Sequence, residues 1–176
     1  MQIEDKGTSM KVGGEPVTDQ TMRKMRGLFA SGVAVVTTVH QGQLRGVTVS
    51  AFSSVSLDPP LVLICIANES ESREWIAQSG VFAVNILSDD QEFLSDRFAT
   101  RAPIVNTRFD GVSYHTASTG SPILAESLAW YDCRLEATHA GGDHVVFIGR
   151  VEALGFGAEG KLPLLYFANR YAGVRD

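Results

Sequence analysis

The sequence predicts a mainly β protein, an antiparallel barrel with a few short helices, and three observations carry that expectation. Runs of β-branched and apolar residues recur at near-hairpin spacing along the 176 residues. Helical periodicity is confined to short segments. So many strands with so little helix to cover them favour closure, because closing a sheet removes the unpaired edges that would otherwise seed aggregation. No internal repeat is visible.

The elements follow in order. Residues 1–17 are rich in glycine and charge without periodicity and read as a flexible tail, so the ordered domain is expected to span residues 18–176. Met22, Met25 and Phe29 recur at helical spacing with Arg23, Lys24 and Arg26 between them, and Gly32 is the expected stop. "VAVVTTV" (33–39) is β-branched, "HQGQLRG" reads as a turn, and "GVTVSAFSSVSL" (46–57) as the returning strand of a hairpin. Alternation puts Val47, Val49, Ala51 and Val55 on one face of that strand and Thr48, Ser50, Phe52 and Ser54 on the other.

Pro59 and Pro60 end that ladder, and "LVLICI" (61–66), apolar throughout, predicts a central strand covered on both faces. Ser72 is the expected cap of a short helix, "REWIAQ", that Gly80 ends before the strand "VFAVNIL" (81–87). Ser88 and Gln91 match a capping box opening a helix through Phe93, Leu94 and Phe98. Residues 99–121 read as loop or lid, with a short strand at "VSYHT". "AWYDCRLEATHA" (129–140) predicts a half-exposed strand, with Trp130, Asp132, Arg134 and Glu136 on its outer side. A Gly-Gly turn leads into "DHVVFIGRVEAL", and "LPLLYF" gives a last strand.

Composition removes several function classes. The net charge of −5, with no basic run, argues against a binder of nucleic-acid backbone. The first residues lack the order of a signal peptide and no apolar stretch is long enough to span a bilayer, so a cytoplasmic, membrane-free protein is expected. Cys65 and Cys133 read as buried reduced thiols rather than a disulfide. No metal is expected, because His40, His115, His139 and His144 show no ligand spacing. The motifs of serine hydrolases, nucleotide hydrolases and Rossmann dehydrogenases are lacking.

Three stretches could carry chemistry. Thr48, Ser50 and Ala51 offer small side chains and hydroxyls against which a flat polar heterocycle could lie, although a solvent-facing strand would look the same. "ANESESREW" places Asn68, Ser70 and Ser72 before a helix start, where exposed N–H groups, the helix dipole and Arg73 suit a phosphate; Glu69 and Glu71 oppose it, and a plain cap is the alternative. His144, beside Asp143 at the start of a strand, could face a cleft or be an ordinary surface histidine.

"SGVAVVTT", "GVTVSAFSSVSLDPPLVLICI", "SGVFAVNIL", "RFA", "GDHVVFIGRV" and "PLLYF", in that order across residues 26–171, resemble the short-chain flavin reductases of two-component monooxygenases, such as the reductase of 4-hydroxyphenylacetate hydroxylase. The resemblance implies an FMN-binding split β-barrel that works as a homodimer, passes a hydride from NADH or NADPH to FMN or FAD, and releases reduced flavin to a separate oxygenase. It implies that Thr48, Val49, Ser50 and Ala51 contact the isoalloxazine, with Ser50 among the donors near flavin N5. It implies further that Ala67, Asn68, Ser70 and Ser72 reach the ribityl phosphate, that Phe98 lies near the flavin, and that His144 and Tyr166 help hold the nicotinamide. Hydride transfer needs no protein nucleophile or base, so no catalytic side chain is expected. Two other readings stay open: a carrier or sensor that keeps FMN without turnover, and an enzyme that keeps FMN and acts on an organic substrate beneath a lid.

Overall fold

The computed structural model describes residues 13–100, 108–157 and 159–174. In chain order these form α1 (Asp19–Arg26), β1 (Ser31–Gly32), β2 (Ala34–His40), β3 (Gln43–Val49), β4 (Phe52–Leu57), β5 (Pro60–Ala67) and α2 (Glu71–Ser79). There follow β6 (Val81–Ile86), a single 3-10 turn (Asp89–Gln91), α3 (Glu92–Phe98), β7 (Tyr114–Thr116), β8 (Pro122–Leu124), β9 (Ala129–Gly141), β10 (His144–Phe156), β11 (Leu165–Phe167) and β12 (Arg170–Ala172). Part of the predicted tail and part of the predicted lid, residues 1–12 and 101–107, lie outside the described residues.

Seven strands make one sheet in the order β3-β2-β6-β9-β10-β5-β4, every pairing antiparallel. Its two outermost strands are consecutive in the chain, separated only by Ser50 and Ala51. Flat, edges of a sheet this wide would stand about 29 Å apart, yet the chain from Val49 to Phe52 can reach no more than about 11 Å. The sheet is therefore rolled until its edges meet at Ser50 and Ala51, where the Cys65 N–H donates to the Ala51 carbonyl at 3.1 Å. This is a barrel split along one seam.

Rolling encloses one apolar cluster and leaves another outside. Val36, Val62, Ile64, Ile66, Phe82 and Phe147 fill the interior. Val33, Val35, Leu87, Leu94, Phe98, Leu124 and Leu164 pack α3 and the C-terminal segment onto the outer face of β2. Strands β2 and β6 are thus the ones buried on both faces. β5, expected to be so covered, alternates instead: Val62, Ile64 and Ile66 point inward, while Leu61, Leu63 and Cys65 stay half-exposed because no element among the described residues covers that side.

Other expectations are corrected locally. The first helix stops at Arg26 with Gly27 as its cap, and Leu28 and Phe29 continue as turns rather than helix. The strand predicted over 46–57 breaks at the seam, and Val55 is the extra residue of a bulge between Ser54 and Ser56, which turns it out to solvent. Ser70, not Ser72, precedes α2; Ser72 lies in its first turn and is buried. Gly80 ends α2 in the left-handed conformation at φ 67°, as its position predicted. Asp132 is buried, not outward: its carboxylate accepts from the Thr119 N–H at 2.7 Å and from the Thr119 hydroxyl, next to a bulge in the β9–β10 ladder. The predicted capping box is present in its Gln91 arm, whose side-chain oxygen accepts from the Ser88 N–H at 3.1 Å.

Asn85 on β6 holds the β7–β8 ribbon to the sheet. Its amide donates to the Val35 carbonyl at 3.0 Å and the Thr37 hydroxyl at 3.2 Å, and its oxygen accepts from the Leu124 N–H at 2.8 Å. The side chain is fully buried. Asn85→Leu leaves the buried Leu124 N–H without its acceptor and removes the donor shared by Val35 and Thr37, and is expected to lower stability by at least about 3 kcal/mol, read from urea unfolding; a loss under about 1 kcal/mol would show that the ribbon is held by other contacts.

Candidate functional site

The seam produces the site. Where β3 ends and β4 has not begun, the N–H groups of Ser50 and Ala51 donate to no backbone acceptor among the described residues. Both residues are exposed, and the Ser50 hydroxyl has no hydrogen-bond partner among them either. These donors open onto a cleft walled by Val33, Thr48, Val49, Ser95, Ala99, Tyr166 and Tyr171. Through Ser50 and Tyr166 it passes into a second cleft lined by Ala51, Phe52, Leu63, Phe29, Asn169 and Arg26. Arg26 in turn belongs to a third, with Asp19, Met22, Arg23, Asp143 and His144. The three clefts thus adjoin through Ser50, Tyr166 and Arg26 and make a row, the groove, from Thr48 to His144.

Each wall has a local cause. The Thr48 hydroxyl donates to the Ser95 carbonyl at 2.6 Å, so its proton is committed to fixing the end of α3 and only its lone pairs face a ligand. The Tyr171 hydroxyl donates to the Asp96 carboxylate at 2.7 Å and lies 2.8 Å from the Ser95 hydroxyl, tying β12 to the same helix. Tyr166 meets Tyr171 edge to face, ring centroids 5.5 Å apart. The hairpin carrying both turns at Ala168 and Asn169, each at positive φ (50° and 62°), the geometry of a tight two-residue turn. The Ala168 N–H donates to the Gly27 carbonyl at 2.7 Å, which docks that turn on the end of α1.

At the far end, His144 opens β10 and pairs with Ala67 of β5. Asn68 is spent on this junction, its N–H on the Asp143 carbonyl at 2.9 Å and its amide on the Gly142 carbonyl at 3.0 Å. The imidazole Nδ1 lies 2.7 Å from the Asp143 carboxylate. That hydrogen bond is the main cause that holds the Asp143 carboxyl below the ordinary carboxylate range. Asp143 is therefore ionised at neutral pH and can only accept, so Nδ1 carries the proton of that hydrogen bond and Nε2 is left for another partner.

The structure thus brings Thr48, Val49, Ser50, Ala51, Tyr166 and His144 onto one groove, with Ala67 and Asn68 at its His144 end. Ser70 and Ser72 do not line it, and the Ser70 hydroxyl makes no cap hydrogen bond. Phe98 is buried beneath it: a Cβ on Gly46 would stand 2.7 Å from the ring, and Phe109 meets it edge to face at 5.1 Å. Ser95, Ala99, Tyr171 and Arg26 were missed. Tyr171 lies on a three-residue strand after a turn without glycine, and no periodicity reveals such a strand. Burial raises the thiols of Cys65 and Cys133, with the Asp132 and Glu152 charges adding at Cys133, so neither is a ready nucleophile.

Apolar walls, two N–H donors and a hydroxyl fit a flat heterocycle with acceptors on its edge, as an isoalloxazine has. The family model described as flavin reductase like domain matches residues 25–175. The chain belongs to that family. Over 163 residues it is 39% identical to the reductase subunit HsaB of a flavin-dependent monooxygenase from Rhodococcus jostii, covering 93% of this chain and 82% of the relative. The solved structure of the flavin reductase PheA2 superposes with a TM-score of 0.84 at 36% identity, over 91% of this chain and all (100%) of that one. The Streptomyces globisporus NADH:FAD oxidoreductase SgcE6, solved with NAD and FAD fragments, gives 0.81 at 31% identity over 90% and 96%. The split-barrel expectation stands within this flavin reductase-like family.

Tyr171→Phe removes the bonds that hold α3 against the groove while keeping the ring. It is expected to lower stability by about 1–3 kcal/mol and to speed amide hydrogen exchange in α3. Unchanged exchange there would mean that Thr48 alone fixes the helix.

Proposed function

We propose that this chain is an NAD(P)H:flavin oxidoreductase, which transfers a hydride from NADH or NADPH to FMN or FAD and supplies reduced flavin to a separate monooxygenase. The observation that carries this reading is the row of adjoining clefts, with unpaired donors at Ser50 and Ala51 toward one end and His144 at the other. Flavin bound there supplies the hydride acceptor. The chain's own work is to orient: Val33 and Val49 pack the ring, Ser50 and Ala51 donate to its edge, and Thr48 and Phe98 stiffen the strand behind it. The fixed N–H dipoles of Ser50 and Ala51 would stabilise negative charge on a ring held there without reorganising.

No side chain need accept or deliver a proton. The groove would supply geometry, holding the donor and acceptor rings together at the near-attack separation of about 3.5 Å. Nε2 of His144 and the Tyr166 ring would hold the nicotinamide, and the segment Ala67, Asn68, Ser70 and Ser72 the ribityl phosphate. A homodimer belongs to the same reading: Met22, Met25, Leu28 and Phe29 leave more than half of their surface open beside the groove, an apolar patch that a second copy would cover. Among the described residues no helix is long and apolar enough to cross a membrane, which agrees with a cytoplasmic enzyme of one domain over residues 18–176.

The test is oxidation of NADH and NADPH by purified protein as FMN, FAD and riboflavin are titrated in turn. Saturable dependence on added flavin is the expected result, whereas a rate indifferent to it would point to an enzyme that retains its flavin, and no rate at all to a carrier. Within that assay His144→Ala is expected to raise the KM for the nicotinamide donor roughly 10-fold, the effect of losing one hydrogen bond of about 1.4 kcal/mol. Flavin affinity should stay within about 2-fold, and equal losses in both would remove His144 from the donor site.

A further inference from the structure

Two arginines in the groove have no task in the reading above. Asp19, Met22, Arg23 and Arg26 fall at successive i, i+3, i+4 and i+7 positions of α1, and that stripe forms one wall of the cleft whose other wall is Asp143 and His144. Arg23 and Arg26 form no salt bridge or hydrogen bond with any described residue, although both are exposed and within reach of solution ligands. Asp143 is already engaged by His144, and the Arg23 charge adds weakly to what holds its carboxyl low. Arg26 also lines the cleft that leads to Ser50 and Ala51, so it stands between the histidine and the ring donors, with Arg23 one turn away on the His144 side.

We propose that Arg23 and Arg26 form the diphosphate grip for the dinucleotide donor, holding its two phosphates by charge-assisted hydrogen bonds while its nicotinamide end is held at His144. Guanidinium forks match phosphate oxygens, and two on one helix face, one turn apart, suit two linked phosphates. This assignment rests on the donor-binding reading of His144. The alternative source of the same chemistry is the diphosphate of FAD, which the experiment separates from the donor's.

The experiment compares wild type, Arg23→Gln/Arg26→Gln and Arg23→Lys/Arg26→Lys. Both positions are exposed on α1, so folding should be unaffected, and thermal unfolding checks this. Three readouts are used: calorimetric binding of ADP-ribose, which carries the diphosphate without nicotinamide; the KM for NADH; and the KM for 1-benzyl-1,4-dihydronicotinamide, a donor with no phosphate. The glutamine pair should weaken ADP-ribose binding and raise the NADH KM at least roughly 10-fold, as loss of charged hydrogen bonds does. The KM for the benzyl donor and the affinities for FMN and FAD should stay within about 2-fold. The lysine pair should recover part of the loss, with stronger salt dependence than the glutamine pair.

ADP-ribose binding that ignores the arginines overturns the grip, as does an equal loss for the phosphate-free donor. A loss confined to FAD, with NADH and FMN unchanged, also overturns it and assigns the cations to the flavin's own diphosphate. Failure of the underlying reading looks different: wild type would then show no flavin-dependent NADH oxidation, whatever the arginines do to ADP-ribose.

Discussion

Everything at this site depends on two residues that cannot belong to any strand. Ser50 and Ala51 must connect opposite edges of a seven-stranded sheet, and a chain that short permits only a rolled sheet. The same constraint explains why their N–H groups are free. A residue crossing from one edge strand to the other has neither ladder to join, so its donors stay unpaired at the surface. In a closed barrel those groups would be consumed, and in a flat sheet they would lie on a remote loop. The split supplies the polar edge, and the curl carries it to the ends of β5, β9 and β10.

Holding that edge still requires support from behind. The outer face of β2 and β3 is covered by α3, where the Phe98 ring occupies the space a side chain on Gly46 would need. Thr48 then spends its proton on the Ser95 carbonyl, and Tyr171 bonds Ser95 and Asp96 from the other direction. The hydroxyls near the groove therefore divide by duty. Thr48 and Tyr171 are structural donors, whereas the Ser50 hydroxyl has no partner among the described residues. A row of hydroxyls that looks uniform in sequence is thus divided, with Thr48 bound to α3 and Ser50 and Ser54 left open.

Much of this was legible because it is local or periodic. The hairpin of β2 and β3, the strand before α3, the Gln91 cap and the long β9–β10 pair follow from alternation, turn residues and capping spacing. The order of six segments then reached the family, which no single stretch could do. What stayed hidden depends on distant packing. LVLICI reads as buried on both faces because every residue is apolar, yet the covering helix and C-terminal segment lie on β2, and only the tertiary arrangement decides which apolar strand they choose. Asp132 alternates like a surface residue, but a loop from Thr119 supplies its donors. Tyr171 and Arg26 carry no motif at all, and they join the site because a turn at Ala168 docks on Gly27.

That docking joins the two ends of the chain to one function. α1 has Thr18 and Thr21 bonded reciprocally at its start and the C-terminal hairpin bonded to its end, so a helix of only eight residues, too short to hold its shape alone in water, is fixed at both termini. Its stripe of Asp19, Met22, Arg23 and Arg26 thereby faces His144 across the cleft, and Met25 lies off that stripe. A hydride acceptor needs its donor stacked to within a few tenths of an ångström, and side chains on a frayed helix could not register a long, flexible dinucleotide so closely. The capped helix makes a rigid rail of a sequence with little helical stability of its own. In the proposed function the groove then works by position, with no residue asked to take up or give a proton.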